Sequence, residues 1–101
     1  MTAFIELSSI ERMSYIEARK ALLRFHLSDG GRLALMEFTT QCRRQWIKLA
    51  LDGRLLTRAY IEPPMDVPFF TITVSDSALL ERIPPTGLLC APLPRICVTR
   101  A

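Results

Sequence analysis

The sequence predicts an α+β domain: a single sheet of about five or six mostly antiparallel strands, with one longer helix and one short helix packed on one face. Three observations predict it. Residues 21–28 and 69–74 alternate apolar and polar side chains with period two, as half-buried strands do. Gly31, Ala34, Leu35, Phe38 and Cys42 recur at helical spacings and form one apolar stripe. Asp52-Gly53 lies between two apolar runs, where a type I′ hairpin turn needs residues that tolerate positive φ.

Each element has its own signal. Residues 3–19 mix apolar and polar positions without a clean period, and Ile5 to Arg12 fits a strand about as well as a helix. Leu23, Phe25 and Leu27 form the core face of the next strand, and Leu22, Arg24 and His26 the opposite one. Ser28-Asp29-Gly30-Gly31 ends that strand and offers an N-cap. The helix follows from Arg32 to Arg44, with Arg43 and Arg44 in its last turn, where cations complement the helix dipole. Trp46 to Leu51 and Arg54 to Ile61 are the hairpin strands; Ile47, Leu49 and Leu51 face the core, and Trp46 sits on the opposite face or at the start of the strand. Three prolines between Glu62 and Pro68 make a loop. Phe69 to Val74 is a further strand, with Phe70, Ile72 and Val74 on one side. Ser75-Asp76-Ser77 caps a short helix over Ala78 to Ile83, which Pro84-Pro85 ends. Residues 86–94 are punctuated by Pro and Gly, and Arg95 to Arg100 is a last strand.

Composition bounds the answer. The 101 residues are enough for one domain, 1–101. A hydrophobic fraction of 50% with a net charge of +3 excludes intrinsic disorder. No apolar run approaches the ~20 residues of a membrane-spanning helix. The start lacks the basic and apolar regions of a signal peptide, which as written implies a cytoplasmic protein, or a periplasmic one if the domain is excised or processed. Cys42, Cys90 and Cys97 are an odd count with no C-x-x-C pair; Cys90 and Cys97 could be bridged, although small buried hydrophobes explain them as well. His26 has no second ligand at zinc spacing, so no metal is expected.

Residues 22–100 resemble the head part of the first periplasmic domain of the SecD and SecDF protein-export membrane proteins. Phe38-Thr39 on the helix is followed, at the family's spacing, by Leu51-Asp52-Gly53 at the end of a strand. Leu55, Thr57, Ile61 and Pro64-Met65 then stand where the family has its aliphatic, hydroxyl and proline positions. Leu23 to Leu27 is similar to the family's preceding strand, and Gly87 to Leu93 to its link into the last strand. The chain departs from the pattern at Arg58-Ala59, where the family has Ala-Pro, at Asp66 to Phe69, where it is glycine-rich, and at Pro84-Pro85, which shortens the second helix. The family's transmembrane helices have no counterpart here.

Three functions follow as expectations. The resemblance implies a non-catalytic module that binds extended or unfolded polypeptide through a sheet edge, a polypeptide or partner protein being the ligand. The surface candidates are Trp46 and the loop 62–70 with Phe69, each of which could instead serve packing alone. An enzyme is disfavoured: Cys42 falls on the apolar stripe, Glu37, Asp52, Glu62 and Asp66 show no paired spacing, and no Gly-rich phosphate loop or cofactor motif is present. The alternative is a basic adaptor that binds an acidic protein or nucleic acid through Arg43, Arg44, Arg54 and Arg58. Arg54 and Arg58, both even-numbered, would share a strand face. Nucleic acid is the weaker choice, because the basic residues lack interleaved aromatics. An unpaired edge also allows a homodimer.

Overall fold

A computed structural model describes residues 2–17, 20–75, 77–81, 87–89 and 95–101, with backbone alone at 14–17, 77 and 87–89. The elements run β1 (Thr2–Ile5), β2 (Leu7–Glu17), β3 (Lys20–Leu27), α1 (Asp29–Gln41), β4 (Gln45–Leu51), β5 (Arg54–Ile61), β6 (Phe69–Val74), α2 (Ser77–Glu81), β7 (Gly87–Leu89) and β8 (Ile96–Arg100). The strands do not form the single sheet expected from the sequence. They form two antiparallel sheets: β1-β8-β4-β5, and β6-β3-β2 extended along β2 by the three-residue β7. Apolar side chains of both sheets and of both helices build one core. Ile5, Ile47, Leu51, Ile96 and Val98 come from the first sheet, Ile10, Leu23 and Phe25 from the second, and Leu35, Phe38, Leu79 and Leu80 from the helices.

The division into two sheets happens at Glu6. Ile5 pairs with Ile96 in one sheet, and Leu7 with Leu27 in the other. No glycine or proline marks the crossing, since Ile5 and Leu7 are both buried and Glu6 is exposed, so alternation runs straight through it. A bulge at Ser8 then shifts the register between Leu7 and Ser9, and this turns Ile10 inward opposite Phe25. That extra residue, with two further register shifts beyond Arg12, is why residues 3–19 lack a readable period.

The helix is tied to this crossing. Ser28 caps α1 by accepting the Gly31 N–H at 3.1 Å. Its own N–H and hydroxyl both donate to the Glu6 carbonyl, each at 3.2 Å. Gly31 lies so close to that carbonyl that a Cβ would overlap it, whereas Gly30 faces open space. At the other end α1 stops earlier than expected. Cys42 is its C-cap, and its N–H donates to the Phe38 and Thr39 carbonyls, which tightens the last turn. Arg43 and Arg44 therefore lie beyond the helix. Arg44 takes a left-handed φ of 61° and donates its N–H to Ile61, so the chain reverses into β4.

The hairpin forms as the sequence predicts, with φ of 51° at Asp52 and 77° at Gly53. Ile47, Leu49 and Leu51 are buried, and Trp46 is exposed on the other face. The short helix α2 begins at Ser77, one residue before the expected Ala78; Asp76 of its expected cap, its extension to Ile83, the Pro84-Pro85 stop, Cys90 and the end of the Gly87–Leu93 link lie outside the described residues.

The two neighbouring glycines of α1 should respond oppositely to alanine. Gly31→Ala overpacks the crossing and should cost about 2 kcal/mol, whereas Gly30→Ala should gain ~0.4–1 kcal/mol by restricting the unfolded chain. Thermal unfolding reads both, at ~4–8 °C per kcal/mol for a domain of this size.

Candidate functional site

The outward face of the first sheet is built by register. Opposed residues in an antiparallel pair share a face. Trp46 is opposite Tyr60; Lys48 is opposite Arg58 on one side and Thr99 on the other, and Thr99 is opposite Thr2. Ala50 is opposite Leu55 and Cys97, and Cys97 is opposite Phe4. The face is thus ruled into three rows across the strands: aromatic (Tyr60, Trp46), cationic and hydroxyl (Arg58, Lys48, Thr99, Thr2), and apolar (Leu55, Ala50, Cys97, Phe4).

This register overturns one expectation. Leu55 pairs with Ala50 and Thr57 with Leu49, so Leu56 is an extra residue and packs toward the core. The bulge reverses the alternation of β5. Arg54, opposite Leu51 at the hairpin end, and Arg58, opposite Lys48, therefore lie on different faces.

Four large hydrophobics stand open on this face: Phe4 (57% exposed), Trp46 (55%), Leu55 (53%) and Tyr60 (46%). The Trp46 and Tyr60 rings are tilted against each other with centroids 5.6 Å apart. A shallow groove of about 390 Å³ runs between Trp46, Arg58 and Ala101. A second, of about 410 Å³, is lined by Phe4, Ala50, Asp52, Gly53, Arg95 and Cys97, and the Arg95 guanidinium sits 5.2 Å from the Phe4 ring centre. Lys48 and Arg58 face each other across the strands, and among the described residues no acidic side chain pairs with either. Like charges directly opposite are unfavourable. Among the described strands, β5 pairs with β4 alone, so its second edge carries no partner strand.

Phe69 lies elsewhere. It is opposite His26 on the outward face of the second sheet. Its ring lies 4.5 Å from the Arg24 guanidinium carbon and 5.8 Å from the His26 ring centre. The Glu11 carboxylate approaches His26 Nε2 at 3.1 Å and Arg24 at 3.9 Å. His26 is therefore engaged in a half-buried cluster rather than simply facing solvent. Glu11 gave no signal in the sequence, because the β2 bulges hide its face. Trp46 and Arg58 come together, while Arg54 and Phe69 fall away from them.

The residues of the family-like motif hold structure. Phe38 and Thr39 are buried. Thr39 Oγ1 donates to Leu35 at 2.8 Å, with the Met36 carbonyl at 3.2 Å, and accepts the Met65 N–H at 2.8 Å. The proline loop is held further by Arg32 Nε donating to Asp66 at 2.7 Å, by Arg43 Nε donating to the Glu62 carbonyl at 3.3 Å, and by the Pro68 carbonyl accepting from Leu27 at 2.9 Å. Pro64 is exposed between these ties. Leu51 fills the core beside the Asp52-Gly53 turn. Cys42 is buried and unbridged, as is the half-buried Cys97 unbridged. No described group of His, Cys, Asp and Glu has metal-site geometry, and no described helix is long and apolar enough to cross a membrane. Comparison with family models, curated proteins and solved structures finds no match to this chain.

Two substitutions test this geometry. Thr39→Val keeps the shape but strands the Met65 N–H, and should cost ~1–2 kcal/mol in urea unfolding. Lys48→Glu replaces a like-charge cross-strand pair with an opposite one, and should raise stability by ~0.2–1 kcal/mol at low salt, an effect that fades as salt is added.

Proposed function

We propose that this chain is a non-catalytic binding module that takes up extended polypeptide along the outer edge of β5 and the exposed face beside it. The observation that carries this is the coincidence, at one strand, of an edge with no partner strand among the described strands and an exposed aromatic and cationic face. An added strand gains main-chain hydrogen bonds at the edge, and its side chains meet Tyr60, Arg58 and Leu55. The role is the one implied by the resemblance to the protein-export head domains. Among the described residues, the other outer strand of this sheet, β1, packs against α1, so β5 is the more open of the two.

A second role, as a basic adaptor for an acidic protein or nucleic acid, draws on Lys48 facing Arg58. In that case the cations alone would govern binding, and the aromatic row would be dispensable.

Titrating an unfolded polypeptide while following Trp46 fluorescence separates the two. Uptake along β5 predicts a saturable spectral change at moderate salt. It also predicts binding weakened about fivefold or more in Tyr60→Ala, as removal of an interface aromatic commonly costs over 1 kcal/mol. Binding that vanishes with salt and ignores Tyr60→Ala would favour the basic adaptor, and no change with any polypeptide would overturn the proposal.

A further inference from the structure

We infer that the segment taken up at β5 alternates apolar and acidic side chains, in the pattern apolar–x–acidic–x–apolar. This rests on the polypeptide-binding role above and names its ligand. The three rows of the outward face end at β5 in Tyr60, Arg58 and Leu55. A strand paired with that edge places every second side chain on the same face, ~7 Å apart. Each such side chain extends one row. An aromatic or branched aliphatic residue fits beside Tyr60, where Trp46 already tilts against the ring. An aliphatic residue fits beside Leu55, which is more than half exposed.

The middle row selects the charge. Arg58 has Lys48 directly opposite and no described acidic partner. A carboxylate arriving on the free side of Arg58 relieves that like-charge contact, while a lysine there would place three cations in one row. The flanking apolar rows exclude water from the pair once the segment is seated, which strengthens the attraction. The alternation also distinguishes this ligand from a uniformly anionic polymer, whose charges would lie on Leu55 and Tyr60. Among the described residues, the other outward face already supplies its own carboxylate, since Glu11 lies against both Arg24 and His26. On the face beside the β5 edge, by contrast, Arg58 and Lys48 meet each other and no described carboxylate.

The test uses the intact chain and three short peptides that differ at one position, Ile-Thr-Glu-Thr-Leu and its Gln and Lys versions, each extended by Thr at both ends. Trp46 fluorescence reads affinity. The glutamate peptide should bind about fivefold more tightly than the glutamine one and more tightly still than the lysine one. In Arg58→Glu, whose new carboxylate faces Lys48 and so leaves the fold intact, the order should invert in favour of the lysine peptide. Equal affinity for all three peptides overturns the charge pattern while leaving the polypeptide-binding role standing. If no peptide binds but an unfolded polypeptide does, the pattern is again overturned; if neither binds, both fall. A single-stranded oligonucleotide that displaces the glutamate peptide and binds more tightly, or a dimer in sedimentation that buries Trp46, likewise overturns it.

Discussion

The carbonyl of Glu6 stands where the chain leaves one sheet for the other. It accepts both the N–H and the hydroxyl of Ser28, and the first turn of α1 closes directly over it at Gly31. One acceptor thus joins the crossing between the sheets to the end of β3 and the start of the helix. The same serine also accepts from Gly31, so cap and crossing share a side chain. Because the approach is this close, α1 starts beside β1 and lays Leu35, Phe38 and Thr39 into the core. From there Thr39 reaches Met65 and holds the loop that delivers β6.

This arrangement decides which surfaces are left open. The helix packs against β1, at the far side of the first sheet from β5. The outward face of that sheet keeps Trp46, Tyr60, Leu55 and Phe4 in solvent. A small domain can carry such a face, and the unfavourable facing of Lys48 and Arg58, only because the buried side chains of both sheets and both helices supply the stability elsewhere. Exposed aromatics around two facing cations with no described acidic partner are the features on which the proposed polypeptide contact rests.

Much of the fold is legible in the sequence. The β3 alternation, the Ser28 cap, the helical stripe and the Asp52-Gly53 turn each rest on local chemistry, and each forms where that chemistry puts it. What the sequence hides are the places where one residue is added without a change in composition. The bulge at Ser8 breaks the period of β2 and conceals that Ile10 and Glu11 face opposite ways. The bulge at Leu56 does the same to β5, which is why Arg54 and Arg58 looked like neighbours on a face. The crossing at Glu6 is silent because alternation passes through it unbroken. The alternation of β4 allows Trp46 on the outward face or at the strand's start, whereas its partners Tyr60 and Arg58 depend on the bulge, and Phe69 meets His26 through a pairing with β3 that no local pattern reveals.

The central claim is that the outer edge of β5 receives another strand. The β5 amides that point away from β4, whose alternation is interrupted at the Leu56 bulge, have no partner strand among the described strands and exchange freely. Amide hydrogen exchange of the intact chain, with and without a saturating unfolded polypeptide, tests this most directly. The account predicts slowed exchange at these outward amides between Arg54 and Tyr60, with β4 unchanged. Protection confined to the β6 edge, or none along β5 despite binding, would contradict it.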